Sequence, residues 1–175
     1  YKRYAETIAD PHDYVVQKYQ QILSYVLKPA KAIDLIAIKK KNIYTASLND
    51  YALNVMNVMN RNKFTYVPII EDGRLIGVFS DNTVFSYIVN RGEFSLEKDI
   101  KIREFSEFIP LHKHESESFD FVSREALVMN IEDMFADKLD QGKRLAMVFI
   151  THSGNPTESL LGLVTVWDIA GYQEP

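Results

Sequence analysis

The sequence has 175 residues, 46% hydrophobic and 25% charged, enough to bury a sizeable core in one ordinary domain or two small ones. Its 20 Lys and Arg against 24 Asp and Glu leave a formal charge of -4, so it lacks the net basic field of a non-specific nucleic-acid or membrane-surface binder. Cysteine is absent, which excludes disulfides, thiolate zinc sites, iron–sulfur clusters and Cys nucleophiles. No run approaches the roughly 18 apolar residues of a membrane span. There is no signal-peptide pattern, so the expected location is cytoplasmic, and an opening on Tyr1 in place of Met suggests a trimmed chain.

The first predicted element is an amphipathic helix. Asp10 followed by Pro11 is a cap-then-proline start. Val15, Tyr19, Ile22 and Val26 fall on one helical face, and Tyr4, Tyr14 and Tyr25 widen it. Lys28-Pro29 ends the helix, because proline disfavours helix at the residue before it. Such a face must dock on the main domain or on a second copy.

From about residue 33 the chain repeats itself. A β-prone run over 42–47 precedes a polar cap at Asn49 and the pair Ala52-Leu53. A second run, Phe119–Val122, precedes Ser123 and the pair Ala126-Leu127, both offset by 74 residues from their counterparts. Helical stripes follow, Ala52, Val55, Met56 and Met59 in one unit and Leu127, Ile131, Met134 and Phe135 in the other. Two strands come next. In the first unit Thr65–Ile70 and Leu75–Ser80 flank the hairpin turn Glu71-Asp72-Gly73-Arg74. In the second, Leu145–Ile150 and Leu160–Thr165 flank a longer polar turn, Thr151–Ser159. Extra residues also fall at Asp137–Gly142. A closing helix follows each pair, Asn82–Val89 and Val166–Tyr172. The unit is strand, helix, strand, strand, helix, used twice.

The segment Val67-Pro68-Ile69-Ile70-Glu71-Asp72-Gly73-Arg74-Leu75-Ile76-Gly77-Val78-Phe79-Ser80, with Gly162-Leu163-Val164-Thr165-Val166-Trp167-Asp168-Ile169 in the second unit, resembles the tandem cystathionine-β-synthase (CBS) domain pair, or Bateman module. The resemblance implies an α+β fold of two β-α-β-β-α repeats packed as a pseudo-symmetric pair. It divides the chain into an N-terminal helical extension (1–30), a first repeat (31–92), a linker with the lead-in of the second repeat (93–118), and a second repeat (119–175). It implies a module that binds an adenosine-containing ligand between its repeats and regulates a partner without catalysis. AMP, ADP, ATP, S-adenosylmethionine and cyclic dinucleotides are the candidate effectors, with no cofactor required. A homodimer and a regulated protein of unknown identity are the expected partners.

Site residues carry over by position. Thr165 and Asp168 match the family's Ser/Thr-x-x-Asp ribose motif, since a carboxylate can accept from both ribose hydroxyls. The same spacing is also an ordinary helix capping box. The adenine wall carries over to Ile36, Lys41, Phe64, Thr65 and Tyr66, where an aromatic ring could stack on the base. Arg144, Lys143 and Lys39 are the phosphate candidates, with Arg144, whose planar fork suits phosphate oxygens, favoured because its position matches the family's basic residue. The first repeat departs from the motif. Ser80-Asp81-Asn82-Thr83 puts a hydroxyl where the ribose carboxylate belongs, so a second cleft at Ser80, Thr83 and His112 is expected to be empty or to bind something different.

His112, His114 and Glu115 have zinc-ligand chemistry but lack a further ligand group nearby, so no metal site is expected. Gly-x-Ser-x-Gly, a phosphate-loop lysine motif and His-Glu-x-x-His are all missing, so no catalytic residue is assigned. The rival reading is a ligand-free dimerisation module with vestigial clefts. A metal-dependent hydrolase built on His112 and His114 is the remote one.

Overall fold

The computed structural model describes residues 12–39, 43–92, 95–140, 142 and 144–170. The N-terminal periodicity forms helix α1, Asp13–Leu27. His12 caps it, its Nδ1 accepting the Tyr14 N–H at 3.2 Å. The expected Asp10–Pro11 start and Tyr4 lie outside the described residues. The helix ends at Lys28, ahead of the proline, as expected. Its apolar stripe stays open to solvent, with Tyr19 70% and Val26 72% exposed.

Helix α2, Ala32–Lys39, leads into the first repeat. That repeat contains α3 (Ala52–Asn62), β1 (Tyr66–Glu71), β2 (Arg74–Ser80) and α4 (Asp81–Arg91). The second contains β3 (Glu117–Ser123), α5 (Val128–Asp140), β4 (Arg144–Thr151), β5 (Gly162–Val164) and α6 (Val166–Ala170). The remainder of the expected last helix, through Tyr172, lies outside the described residues. β1 and β2 are antiparallel, and Glu71 pairs with Arg74 across the turn. Asp72 (φ 50°) and Gly73 (φ 76°) supply the two left-handed residues that a tight hairpin of this hand needs. β3 runs parallel to β4, and β4 antiparallel to β5.

The opening strand differs between the repeats. In the second it is full length. In the first it shrinks to one parallel bridge, Ala46 to Ile69, with Asn42 outside the described residues. The next two N–H groups are captured by side chains, Ser47 by Asp50 and Leu48 by Glu71, each at 2.8 Å, so the ladder stops there.

The expected polar caps are also corrected. α3 begins after Tyr51 without a side-chain cap, and α5 begins only at Val128. Asn49 instead accepts from Arg103, and Ser123 accepts the Glu125 N–H in a turn. The helix starts are finished by backbone from the other half of the chain. Ala52 N–H donates to Ile100 O at 2.9 Å, and Val128 N–H donates to Ala30 O at 2.9 Å. In return, Ile102 N–H donates to Asp50 O and Ala32 N–H to Ala126 O. Ala52 is therefore equivalent to Val128, and the pairing of Ala52 with Ala126 read from the sequence slips by two residues.

The cores follow this exchange. Ile100, Ile102, Phe105 and Ile109 pack into the core of the first repeat, with Val55, Val67, Ile69 and Phe79. Ala32 and Leu35 of α2 pack into the core of the second, with Ile131, Val148, Ile150 and Val164. A third cluster joins the two sheets, where Val78 meets Met147 and Phe149.

The linker crosses β2 at Gly77. Val78 N–H donates to Ile109 O at 2.8 Å, and a Cβ on Gly77 would overlap the Ile109 carbonyl, with its carbon at 2.6 Å. Because the obstacle is backbone, Gly77→Ala should destabilise the protein by about 2–3 kcal/mol. Gly162→Ala meets only the flexible end of Ile36 and should lose less. Urea unfolding midpoints at an unchanged slope test the ranking.

Candidate functional site

A cleft of about 340 Å³ opens between the two repeats. Tyr44, Lys63, Phe64, Thr65 and Tyr66 line it from the first repeat, and Arg144, Met147, Thr165, Trp167 and Asp168 from the second. The chain positions these groups at element ends. α3 closes at Lys63, which takes the left-handed conformation (φ 60°) and donates its N–H to Met59 O. That turn sends Phe64 and Thr65 across the cleft before β1 begins. Phe64 stacks on Tyr44 with centroids 6.4 Å apart and 25° between planes.

On the opposite wall, β5 ends and α6 begins. Thr165 N–H and Thr165 Oγ1 both donate to Asp168 Oδ2, at 2.7 and 2.9 Å. Only one half of a capping box is formed, because the Thr165 hydroxyl donates to Asp168 and does not accept its N–H, and the pair holds hydroxyl and carboxylate side by side at the cleft. Trp167 projects at the rim, 80% exposed. Arg144 opens β4, paired in register with Glu117 of β3. Lys63 and Arg144 bring one cation to each wall, and among the described residues Asp168 is the only carboxylate lining the cleft.

Behind the cleft lies a buried polar cluster. The Tyr66 hydroxyl donates to Glu117 Oε1. Glu117 Oε2 lies 3.8 Å from His114 Nδ1, with the two side chains 9% and 3% exposed. His114 and Tyr66 both meet Phe119 edge-on, with centroids 5.2 and 5.9 Å away. Burial, then the Glu117 carboxylate, pushes the Tyr66 phenol well above its usual range. Burial lowers the His114 imidazole, while Glu117 and the carbonyls of Ile109 and Val78 pull it back upward.

A second cleft of about 420 Å³ lies beyond this cluster, lined by Asn82, Thr83, Ser86, Phe108, Lys113, His114, Glu115 and Ser116. Ser80 and Thr83 form a reciprocal capping box for α4, and both are buried, so their hydroxyls are spent on each other and on the helix start. His112 is exposed and does not line this cleft, whereas His114 does. Among the described residues no group of three or more His, Asp or Glu could hold a metal ion.

The main cleft thus brings together Phe64, Thr65, Tyr66, Arg144, Thr165 and Asp168 of the expected site. Ile36 stands elsewhere, packed beneath Gly162 in the second core. Lys41, Lys143 and the side chain of Lys39 lie outside the described residues. Sequence reading missed Tyr44, Lys63, Met147 and Trp167 as lining groups. A lysine directly after a helix and before an aromatic pair was the available signal for Lys63.

The family model for the CBS domain matches residues 34–90. The first repeat is a CBS domain, and the chain has the fold of a CBS-domain pair. Among solved structures it is similar to the CBS domain of a CBS-domain-containing membrane protein from Sphaerobacter thermophilus, at 14% identity and TM-score 0.55, covering 90% of this chain and 96% of that one. It is also similar to the CBS domain pair of protein MJ0100, solved with 5′-methylthioadenosine and S-adenosyl-L-methionine, at 12% identity and TM-score 0.53, covering 81% and 94%. A third is Hypoxic Response Protein I with two coordinated zinc ions, at 16% identity and TM-score 0.53, covering 83% and 100%. Comparison with curated proteins finds no match. Among the described residues no helix is long and apolar enough to cross a membrane.

The lowered His114 pKa fixes a sign. The unfolded imidazole titrates near 6.5, the folded one lower, so between those values the unfolded chain holds more protons. The contribution is intact above 6.5 and lost as pH falls through that window. Urea midpoints should drop between pH 7.5 and 5.5, and His114→Gln should make the drop smaller.

Proposed function

We propose that this CBS pair is a regulatory module that binds an adenosine-containing ligand in the cleft between its repeats. The observation that carries the reading is the convergence on one cleft of groups spread across the sequence. Thr165 and Asp168 suit a ribose, the Tyr44–Phe64 stack and Tyr66 suit a base, and Arg144 suits a phosphate. Lys63 adds a second cation on the same path. The adenosyl ligands of the MJ0100 pair favour this ligand class. Because one wall comes from each repeat, a ligand that prefers one mutual angle shifts the population toward it. The bare apolar face of α1 is the element through which such a change reaches a second copy or a regulated protein. The missing carboxylate at Thr83 argues that the neighbouring cleft plays a different role.

Calorimetry with AMP, ATP, S-adenosylmethionine and cyclic di-AMP tests this. At least one should bind, and Asp168→Ala should weaken it about tenfold or more, the worth of a charged hydrogen bond. Arg144→Ala should weaken AMP more than adenosine, since only AMP carries the phosphate. Silence from every ligand would leave the interaction-module reading in its place. Binding indifferent to Asp168→Ala would move the site elsewhere.

A further inference from the structure

Tyr66 and His114 line different clefts, and Glu117 stands buried between them. The connection is incomplete. Glu117 Oε2 and His114 Nε2 are both buried without a hydrogen-bond partner. A neutral imidazole has one N–H and cannot serve both sides of its ring. A protonated one carries an N–H on both nitrogens, and the Glu117 carboxylate and the Ile109 and Val78 carbonyls all favour that charged form. We propose that Tyr66, Glu117 and His114 form a relay that couples ligand occupancy of the main cleft to protonation of His114, making binding proton-linked. The ligand half of this rests on the cleft reading above.

The phenol is the shared element. A ligand that hydrogen-bonds the Tyr66 hydroxyl draws it away from Glu117 Oε1. The carboxylate then turns to His114 and raises its proton affinity, with the proton arriving from solvent through the second cleft. Linkage makes the effect reciprocal, so a protonated His114 favours the liganded state. Among the described residues, other charges around the relay are few. Lys113 and Glu115 share the second cleft with His114, Arg144 faces Glu117 from β4, and Asp81 acts on Tyr66 from the start of α4. The remaining α4 residues lining that cleft, Asn82, Thr83 and Ser86, are uncharged, and β2 offers only the Val78 carbonyl.

Proton NMR titration of the imidazoles in the full chain tests the relay without ligand, with His114 assigned through His114→Gln. Glu117→Gln should lower the His114 midpoint, and Tyr66→Phe, which leaves the carboxylate to His114 alone, should raise it by about half a unit. His152, in the Thr151–Ser159 turn, serves as the internal reference. If neither variant moves His114 against it, the relay is overturned. The ligand arm measures AMP affinity at pH 7.5 and 5.5 in the wild type and His114→Gln. Titration of the AMP phosphate is common to both and cancels in the ratio. The wild type should gain about fivefold more affinity on acidification than the variant. Equal gains would overturn the coupling and leave the cleft reading standing. Failure of AMP to bind either protein would overturn that reading for AMP, and the coupling with it.

Discussion

Each repeat of this protein is finished by the lead-in segment of the other. A helix start leaves backbone N–H groups that need acceptors, and here the acceptors are carbonyls from a distant stretch of chain. Ile100 O serves α3 and Ala30 O serves α5. The same segments bury Ile102 and Phe105 in one core and Ala32 and Leu35 in the other. Polar satisfaction and apolar burial therefore pull in one direction, and neither repeat has a complete core within its own strands and helices.

That exchange sets the cleft. It holds the two sheets against each other through Val78, Met147 and Phe149, which leaves the ends of α3 and β5 facing across a gap. Local chain geometry then places the groups. The left-handed Lys63 turns Phe64 inward, and the two Thr165 donors fix the Asp168 carboxylate at the rim. Glu117 sits at the seam as a buried carboxylate and receives the Tyr66 hydroxyl on one side. Its other oxygen is the point where the polar economy of the interior is left unbalanced.

Much of this was legible from the residues. Asp72-Gly73 between apolar runs points to a hairpin because Asp-Gly is one of the few pairs that accept two left-handed conformations readily. The helical stripes and the second hairpin were readable from periodicity, and Thr165, Asp168, Phe64, Tyr66 and Arg144 from the family resemblance. What escaped depends on distant partners. Asn49 and Ser123 look like caps by type, yet the helix starts use carbonyls about 48 and 98 residues away, which no local pattern announces. The first opening strand looks β-prone, yet the Asp50 and Glu71 side chains capture its next N–H groups. His114 is one position in a polar run with His112, and only the packing of Phe119 and Glu117 separates a buried imidazole from an exposed one.

The crossing of the lead-in segments also bears on synthesis. As the chain leaves the ribosome, the first repeat emerges without Ile100–Ile109, the residues that close its core, and α2 emerges long before β4 and β5 exist to receive it. The first core can close once Ile109 has emerged, since all its residues lie between 44 and 109, but a maturation strictly repeat by repeat is closed to α2. Ala32 and Leu35 of α2 must wait with their apolar surface open until Val164 is clear of the exit tunnel, so the second core closes last and around the earliest of its own segments.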